Sequence, residues 1–325
     1  MKSSKINKPS ILLVGAGSFG WNHLLVWRRL ARQGLILFTG VVEKNSHIRK
    51  KLKHIKIPVF KELTPDLLAN VSAVDIVTPP STHYAIAQKS LIYTHVFLEK
   101  PMALFSLDAR KLNGLAKKYQ RHLMIGHIYR FNGAIQKLKE LLTTSDTKPF
   151  FFECTFIDSP HQLPADCGIL FSDLHAFDIL DYLLDSTPKL GYATLFKNKI
   201  RPHFEIDATV LLHYAKEFDV TVKLSWRGII KTRLMNIWFP DKKIVVDFIK
   251  QTITVFTSKE VRKFNCAKKN RPLDLELIDF IDILKNKKIK FPDGSVGLRI
   301  IRIVEQLYLS AQKKQQIKFF PDKII

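Results

Sequence analysis

A chain of 325 residues is long for one hydrophobic core and comfortable for two, so two domains with a cleft between them are expected. Its 46% hydrophobic and 25% charged residues exclude an intrinsically disordered chain, and no apolar run approaches the roughly 18 residues that a membrane span needs. The net charge of +23 raises a nucleic-acid partner as an option. The basic residues, however, fall in small scattered clusters at Lys50-Lys51-Lys53, Lys117-Lys118, Lys242-Lys243, Lys268-Lys269 and Lys285 to Lys290. None lies near a helix-turn-helix or zinc-finger pattern, so solvated surface and no nucleic acid is the reading.

The start, Met1 to Pro9, is polar and basic and reads as an uncleaved beginning of a soluble protein. Cys154, Cys167 and Cys266 are too few and too scattered for a disulfide framework or a metal-ligand set. A reducing, cytoplasmic setting without metal or membrane is expected.

The first element is a strand, Ser10 to Val14, followed by Gly15-Ala16-Gly17-Ser18-Phe19-Gly20 and a helix from Trp21 to Gln33. Strand, glycine turn and helix in this order suit a dinucleotide pyrophosphate. Gly15 permits the tight turn, Gly17 lets the backbone approach the phosphates, Gly20 lets helix and strand pack closely, and the helix start offers unpaired N–H groups. The second strand, Leu35 to Val42, ends in Glu43, where a carboxylate can accept hydrogen bonds from the adenosine ribose hydroxyls and favours NAD. Lys44 follows and could neutralise a 2′-phosphate, so NADP stays open.

Further strands at Val74 to Thr78, His95 to Leu98 and His122 to Gly126 alternate with helices at Tyr84 to Ile92 and Ser106 to Tyr119. The alternation implies a doubly wound parallel sheet, in which ligands sit beyond the carboxyl ends of the strands. Gly15 to Gly20, Glu43, Thr78-Pro79-Pro80-Ser81-Thr82-His83 and Glu99-Lys100-Pro101 all fall at such ends. After Phe131 the pattern changes. A helix at Ala134 to Leu142, a strand at Phe150 to Phe156 and a helix at Cys167 to Leu184 precede strands at Ala208 to His213, Phe218 to Ser225, Leu234 to Phe239, Lys243 to Phe248 and Thr252 to Phe256. That predicts an α/β chain whose Rossmann domain, 1–126, is followed by an α+β domain, 127–325, with a large, mostly antiparallel sheet.

These motifs resemble the glucose–fructose oxidoreductase and inositol dehydrogenase family of NAD(P)-dependent sugar oxidoreductases. The matching pieces are Gly15 to His23, Thr78 to His83, Val96-Phe97-Leu98-Glu99-Lys100-Pro101, Gly126-His127-Ile128-Tyr129-Arg130-Phe131-Asn132, and the closing segments Pro272 to Phe280 and Gly297 to Ser310. The resemblance implies hydride transfer between a nicotinamide cofactor and a sugar, cyclitol or nucleotide-sugar hydroxyl, with Lys100 beside both nicotinamide and substrate. An amine there can hold the hydroxyl oxygen as hydride leaves. Pro101 fixes the backbone after Lys100 and is a candidate for a cis bond. Gly15, Gly17, Ser18, Phe19, Gly20, Glu43, Lys44, Thr78, Pro79, His83 and Glu99 are the expected cofactor contacts. The segment Gly126 to Leu142, with Arg130, Phe131 and Asn132, looks most like family members that oxidise nucleotide-activated amino sugars, and the positive charge suits such an anionic substrate.

The family also carries an aspartate four residues before a histidine on one helix face. Here the histidine is His175, the candidate general acid/base, because an imidazole titrates near neutral pH. The four-before position holds Phe171, and Asp173, two before His175, lies on another face of a regular helix. A one-residue deletion or a local distortion could restore the geometry, or Ser172 or Asp178, three away on either side, could orient His175 instead. Asp173 and Asp178 join Lys100, Arg130 and Asn132 as candidate substrate contacts. The displaced aspartate keeps a second reading open, a non-catalytic dinucleotide-binding regulator or assembly subunit of the same fold. The resemblance further implies a homo-oligomer, dimer or tetramer, formed through the open face of the second sheet.

Overall fold

The computed structural model of the chain describes residues 8–159, 166–197, 199, 202–215, 218–286 and 291–319. Most of the Met1 to Pro9 start, and the basic cluster ending at Lys290 from residue 287 on, lie outside them. The chain divides into two units, Met1–Gly126 with Leu273–Leu298, and His127–Pro272 with Arg299–Ile325. The single boundary expected after residue 126 is therefore joined by a return of the chain.

In the first unit β1 (Ser10–Val14), β2 (Leu37–Val42), β3 (Val59–Phe60), β4 (Ala73–Ile76), β5 (His95–Glu99) and β6 (Leu123–Gly126) form one sheet in the order β3-β2-β1-β4-β5-β6. All of its pairings are parallel. Helices α1 (Ser18–Arg32), α2 (Ser46–His54), α3 (Pro65–Ala69), α4 (Pro80–Leu91) and α5 (Ser106–Lys118) connect the strands. Ile11, Leu12, Leu13, Val96, Phe97 and Leu98 are fully buried, as continuous apolar runs in a sheet covered on both faces must be. The order reverses between β1 and β4, which makes their carboxyl ends the switch point where such sheets bind ligands.

Helix α2, strand β3 and helix α3 were not anticipated. Helix α2 buries only Leu52 and is held at its start by the Asn45 side chain, which accepts from His47 and Ile48 N–H at 2.9 and 3.2 Å. Helix α3 is five residues long, capped by Thr64 with Pro65 in its first turn. The returning segment contributes α9 (Pro272–Leu284), whose Phe280 meets Phe97 edge-on at 5.5 Å. The carbonyl of Pro292 accepts from Ile125 N–H at 2.8 Å.

The second unit opens with a 3-10 turn, Ile128–Phe131, and α6 (Gly133–Thr143). Its sheet comprises β7 (Phe151–Ile157), β8 (Leu190–Phe196), β9 (Asp207–Tyr214), β10 (Phe218–Ser225), β11 (Thr232–Trp238), β12 (Lys242–Asp247), β13 (Thr252–Thr257), β14 (Val261–Asn265) and β15 (Ile317–Lys318), in the order β14-β13-β12-β11-β7-β10-β9-β8-β15. The pair β7–β10 is parallel and the other pairings are antiparallel. Alternation sets the faces: Phe152, Cys154 and Phe156 are buried while Phe151, Glu153, Thr155 and Ile157 are half-buried. Tyr192 and Leu211, opposite one another on β8 and β9, are exposed.

One continuous helix from Cys167 to Leu184 was expected. The structure instead has α7 (Ile169–Ser172) and α8 (His175–Leu184), separated at Asp173, where the backbone turns to φ −104°, ψ 29°. The last long helix, α10 (Gly294–Lys313), is divided between the units after Leu298. The three cysteines are unbridged. Among the described residues no helix is long and apolar enough to cross a membrane.

Candidate functional site

The carboxyl edge of the first sheet is built around Gly15. Its φ of +93° suits glycine, and a side chain there would run into the Val77 carbonyl and the Thr78 methyl. The loops after β1 and β4 therefore abut, and Gly20 lies against the Gly15 carbonyl in the same way. Gly17 is the opposite case: a Cβ built on it meets nothing within 4 Å. Helix α1 opens at Gly17 without a side-chain cap and without an acidic residue in its first turn, and Gly17, Ser18 and Phe19 are exposed. An open glycine at an uncapped, positively polarised helix start fits a pyrophosphate.

Glu43, just past β2, reaches across to this loop. One carboxylate oxygen accepts from Ala16 N–H at 2.8 Å and the other from Asn45 N–H at 2.7 Å. Each oxygen keeps a further lone pair, which is what ribose hydroxyls require. Arg49 donates to the Glu43 carbonyl at 3.0 Å and to that of Lys44, while the Lys44 residue is exposed. Beyond β4, the Thr82 hydroxyl lies 2.7 Å from both the Thr78 hydroxyl and the Pro79 carbonyl, tightening the turn into α4. His83 is fully buried, with Nδ1 2.7 Å from the Pro101 carbonyl and Nε2 2.8 Å from the Thr78 carbonyl. Its ring nitrogens thus face the protein's own backbone, where a direct cofactor contact had been expected.

Lys100 follows β5 and is half-buried, and its bond to Pro101 is cis. Its backbone N–H donates to the Glu99 carboxylate at 3.2 Å. Beneath this edge lies a buried charge cluster that sequence reading missed. His23 Nδ1 is 2.8 Å from Asp75 and Nε2 is 3.3 Å from Glu99, and Trp27 donates to Asp75 at 2.6 Å. Burial pushes the imidazole toward its neutral form, but the charges and hydrogen bonds of Asp75 and Glu99 outweigh it and hold the ring up to about 10. The signal was Asp75 itself, a carboxylate inside the apolar strand Ala73–Ile76, which a buried strand tolerates only with a partner.

In the second unit His175 is the first residue of α8 and half-buried. Its ring centre lies 4.8 Å from that of Tyr129. Burial pushes the Tyr129 phenol up to about 12, against the opposing pull of Arg233. Arg233 stacks over Phe156 at 4.6 Å and pairs with Asp158 and, at 3.2 Å, with Asp173. Asp173 therefore departs from the helix toward β11.

The other expected substrate contacts are also engaged within this unit. Asp178 is fully buried and accepts from Arg130 at 2.7 Å, with His127 3.3 Å away. Arg130 also reaches Asp181 at 2.7 Å, which Arg299 grips through both oxygens at 3.0 Å. Asn132 caps α6 by accepting from Ala134 N–H and donates to the Phe248 carbonyl, both at 3.0 Å. Buried polar groups demand such partners, and here they brace the 3-10 turn that carries Tyr129 and the helix α8 that opens at His175. Glu205, also missed, accepts from Leu170 N–H at 3.1 Å and from the Tyr308 hydroxyl. Its carboxylate fills the space where a side chain on Gly168 would stand. Pairs separated by sixty residues or more, such as Asp173 with Arg233, leave no local sequence signal.

A parallel sheet with a glycine turn at its switch point and a carboxylate just past the next strand defines the class, a dinucleotide-binding Rossmann fold. Residues 10–127 match the oxidoreductase family with an NAD-binding Rossmann fold, that of glucose–fructose oxidoreductase, inositol dehydrogenase and MocA, which makes this stretch an NAD-binding domain of oxidoreductase type. It is 24% identical over 321 residues to UDP-N-acetylglucosamine 3-dehydrogenase of Acidithiobacillus ferrooxidans, covering 92% of this chain and 96% of that protein. The solved structure of that enzyme superposes with a TM-score of 0.82 over 94% of this chain and 98% of its own. The rhizopine catabolism protein MocA of Rhizobium meliloti is 30% identical over 185 residues, 54% of this chain and 57% of MocA. Aldose-aldose oxidoreductase from Caulobacter crescentus, solved with glycerol, shares the fold at a TM-score of 0.84 and 18% identity, over 96% of this chain and all of that one.

Proposed function

We propose that the protein transfers a hydride between NAD and a hydroxyl-bearing carbon of a nucleotide sugar. The observation that carries the reading is Lys100, half-buried at the strand-end edge that also holds the open Gly17 and the Glu43 carboxylate. Near full-length similarity to UDP-N-acetylglucosamine 3-dehydrogenase supports the substrate class, and the charge of +23 suits an anionic diphosphate.

Bound NAD supplies the carbon that accepts the hydride. The loop Gly15 to Gly20 and the first turn of α1 bind the pyrophosphate through backbone N–H groups, and Glu43 accepts from the ribose hydroxyls while repelling a 2′-phosphate, which favours NAD over NADP. The Lys100 ammonium holds the substrate hydroxyl oxygen. A ring nitrogen of His175 takes the hydroxyl proton as the C–H electron pair departs as hydride, so the O–H and C–H bonds break and a C=O bond forms. The outward face of the second sheet, where Tyr192 and Leu211 are exposed, is the contact between copies in a homo-oligomer.

The test is a panel of UDP-N-acetylglucosamine, other nucleotide sugars, free sugars and cyclitols with NAD, read at 340 nm. Turnover of a nucleotide sugar is expected, and turnover confined to free sugars or cyclitols would refute the substrate class. Lys100→Ala and His175→Ala should each lower kcat by about a hundredfold, and full activity in either removes that residue from the chemistry. Light-scattering mass of the same preparation reads the oligomer, and a monomer overturns the sheet contact.

A further inference from the structure

We infer that His83 is the positioning residue for Lys100. This goes beyond the proposed function and rests on its reading of Lys100 as the group that holds the substrate oxygen.

His83 belongs to α4 and has no exposed surface. Its two ring nitrogens stand 2.7 Å from the carbonyl of Pro101 and 2.8 Å from that of Thr78. Those carbonyls belong to the loops after β5 and β4, neighbouring strands of the sheet. One loop carries Lys100, and the other abuts the Gly15 turn. Carbonyl oxygens only accept, so the ring is the source of N–H: a neutral imidazole donates to one of the two carbonyls, and an imidazolium donates to both. An imidazole has no internal torsion, so the spacing between the two carbonyls is set by a rigid body.

The surroundings make this bridge matter for Lys100 in particular. Glu99 before it and Met102 and Ala103 after it are buried, at 5%, 1% and 1% exposure, while Lys100 is half-buried. The lysine thus stands on a short bow between two anchored ends, and the carbonyl at its far shoulder is the one that His83 holds. Reacting groups must be placed to within a fraction of an ångström, and a displacement of about 1 Å costs on the order of a hundredfold in rate. A brace at Pro101 therefore acts on kcat. Glu43 is held by the Ala16 and Asn45 N–H groups, and the Gly15 turn by its own N–H on the Val42 carbonyl, so NAD affinity is expected to be kept.

The experiment compares His83→Phe, which keeps a flat ring and removes both nitrogens, with His83→Gln, which restores an amide N–H. Thermal melting checks folding, NADH fluorescence gives the cofactor Kd, and kcat is read with NAD and the alcohol of the panel that turns over fastest. His83→Phe should lower kcat by about ten- to a hundredfold with the Kd for NADH within about threefold of wild type, and His83→Gln should recover part of the loss. Wild-type kcat in His83→Phe overturns the inference, as does a loss confined to cofactor affinity. If His83→Phe does not fold, His83→Gln decides, reduced kcat at unchanged Kd supporting the brace and wild-type kcat refuting it. Lys100→Ala separates the two levels. If it is inactive while His83→Phe is fully active, the brace alone fails; if it is fully active, the reading of Lys100 fails.

Discussion

Both units bury ionic clusters under their candidate functional residues, but they use different cations. Under the strand-end edge of the first unit, His23 serves two carboxylates, Asp75 and Glu99. Under His175 in the second, Arg130 and Arg299 hold Asp178 and Asp181, and Arg233 holds Asp158 and Asp173. Arginine stays charged at any pH a protein survives, whereas an imidazole can lose its proton. The comparison teaches that the first unit rests on a titratable support and the second on a permanent one.

The largest expected effect breaks the permanent support. Arg130→Leu leaves the fully buried Asp178 with His127 as its ion-pair partner among the described residues and should cost about 3–5 kcal/mol of unfolding free energy in urea titration, while a loss under 1 kcal/mol would mean that the pairs are not needed. His23→Leu comes next, at about 3 kcal/mol, near the low end because Trp27 still donates to Asp75. Its pH dependence sharpens the contrast. His23 is held up to about 10 in the fold, against roughly 6.5 in an unfolded chain. Its contribution is therefore full below about pH 6.5 and is lost as pH rises through about 10. The stability gap between wild type and His23→Leu should shrink over that window, and the gap for Arg130→Leu should not. The smallest effect concerns the open loop above the histidine. Gly17→Val should cost about 1 kcal/mol or less in stability yet weaken NAD binding about tenfold, or about 1.4 kcal/mol, by calorimetry. Unchanged affinity would remove the pyrophosphate from this loop.

The first sheet, its edge strand β3 apart, was legible because strands buried on both faces read as apolar runs, as within Ser10–Val14 and His95–Glu99. Helix α2 was not, since Leu52 is its one buried side chain and the rest reads as a charged stretch. Strand β8 was passed over because its buried positions are the small Gly191 and Ala193 while the large Tyr192 and Phe196 are exposed, which hides the apolar alternation of a strand. For the candidate site, the glycine turn, Glu43 and the Lys100 corner could be located because each closes a recognisable strand. The roles of Asp173, Asp178, Arg130 and Asn132 could not be read, because a polar residue pledged to the frame looks the same in one dimension as one offered to a ligand. Their partners, Arg233, Asp181, Arg299 and Phe248, are brought to them by the fold alone.

The return of Leu273–Leu298 to the first unit has a practical meaning for dissecting the molecule. A gene fragment stopping at Gly126 would leave the face of Phe97 that meets Phe280 wet, strip Arg29 of its 2.7 Å pairing with Asp274, and leave Ile125 N–H without the Pro292 carbonyl. Grafting or swapping this cofactor module therefore means moving two stretches of chain together, or re-joining them by circular permutation, so that the last strand carries its own cover.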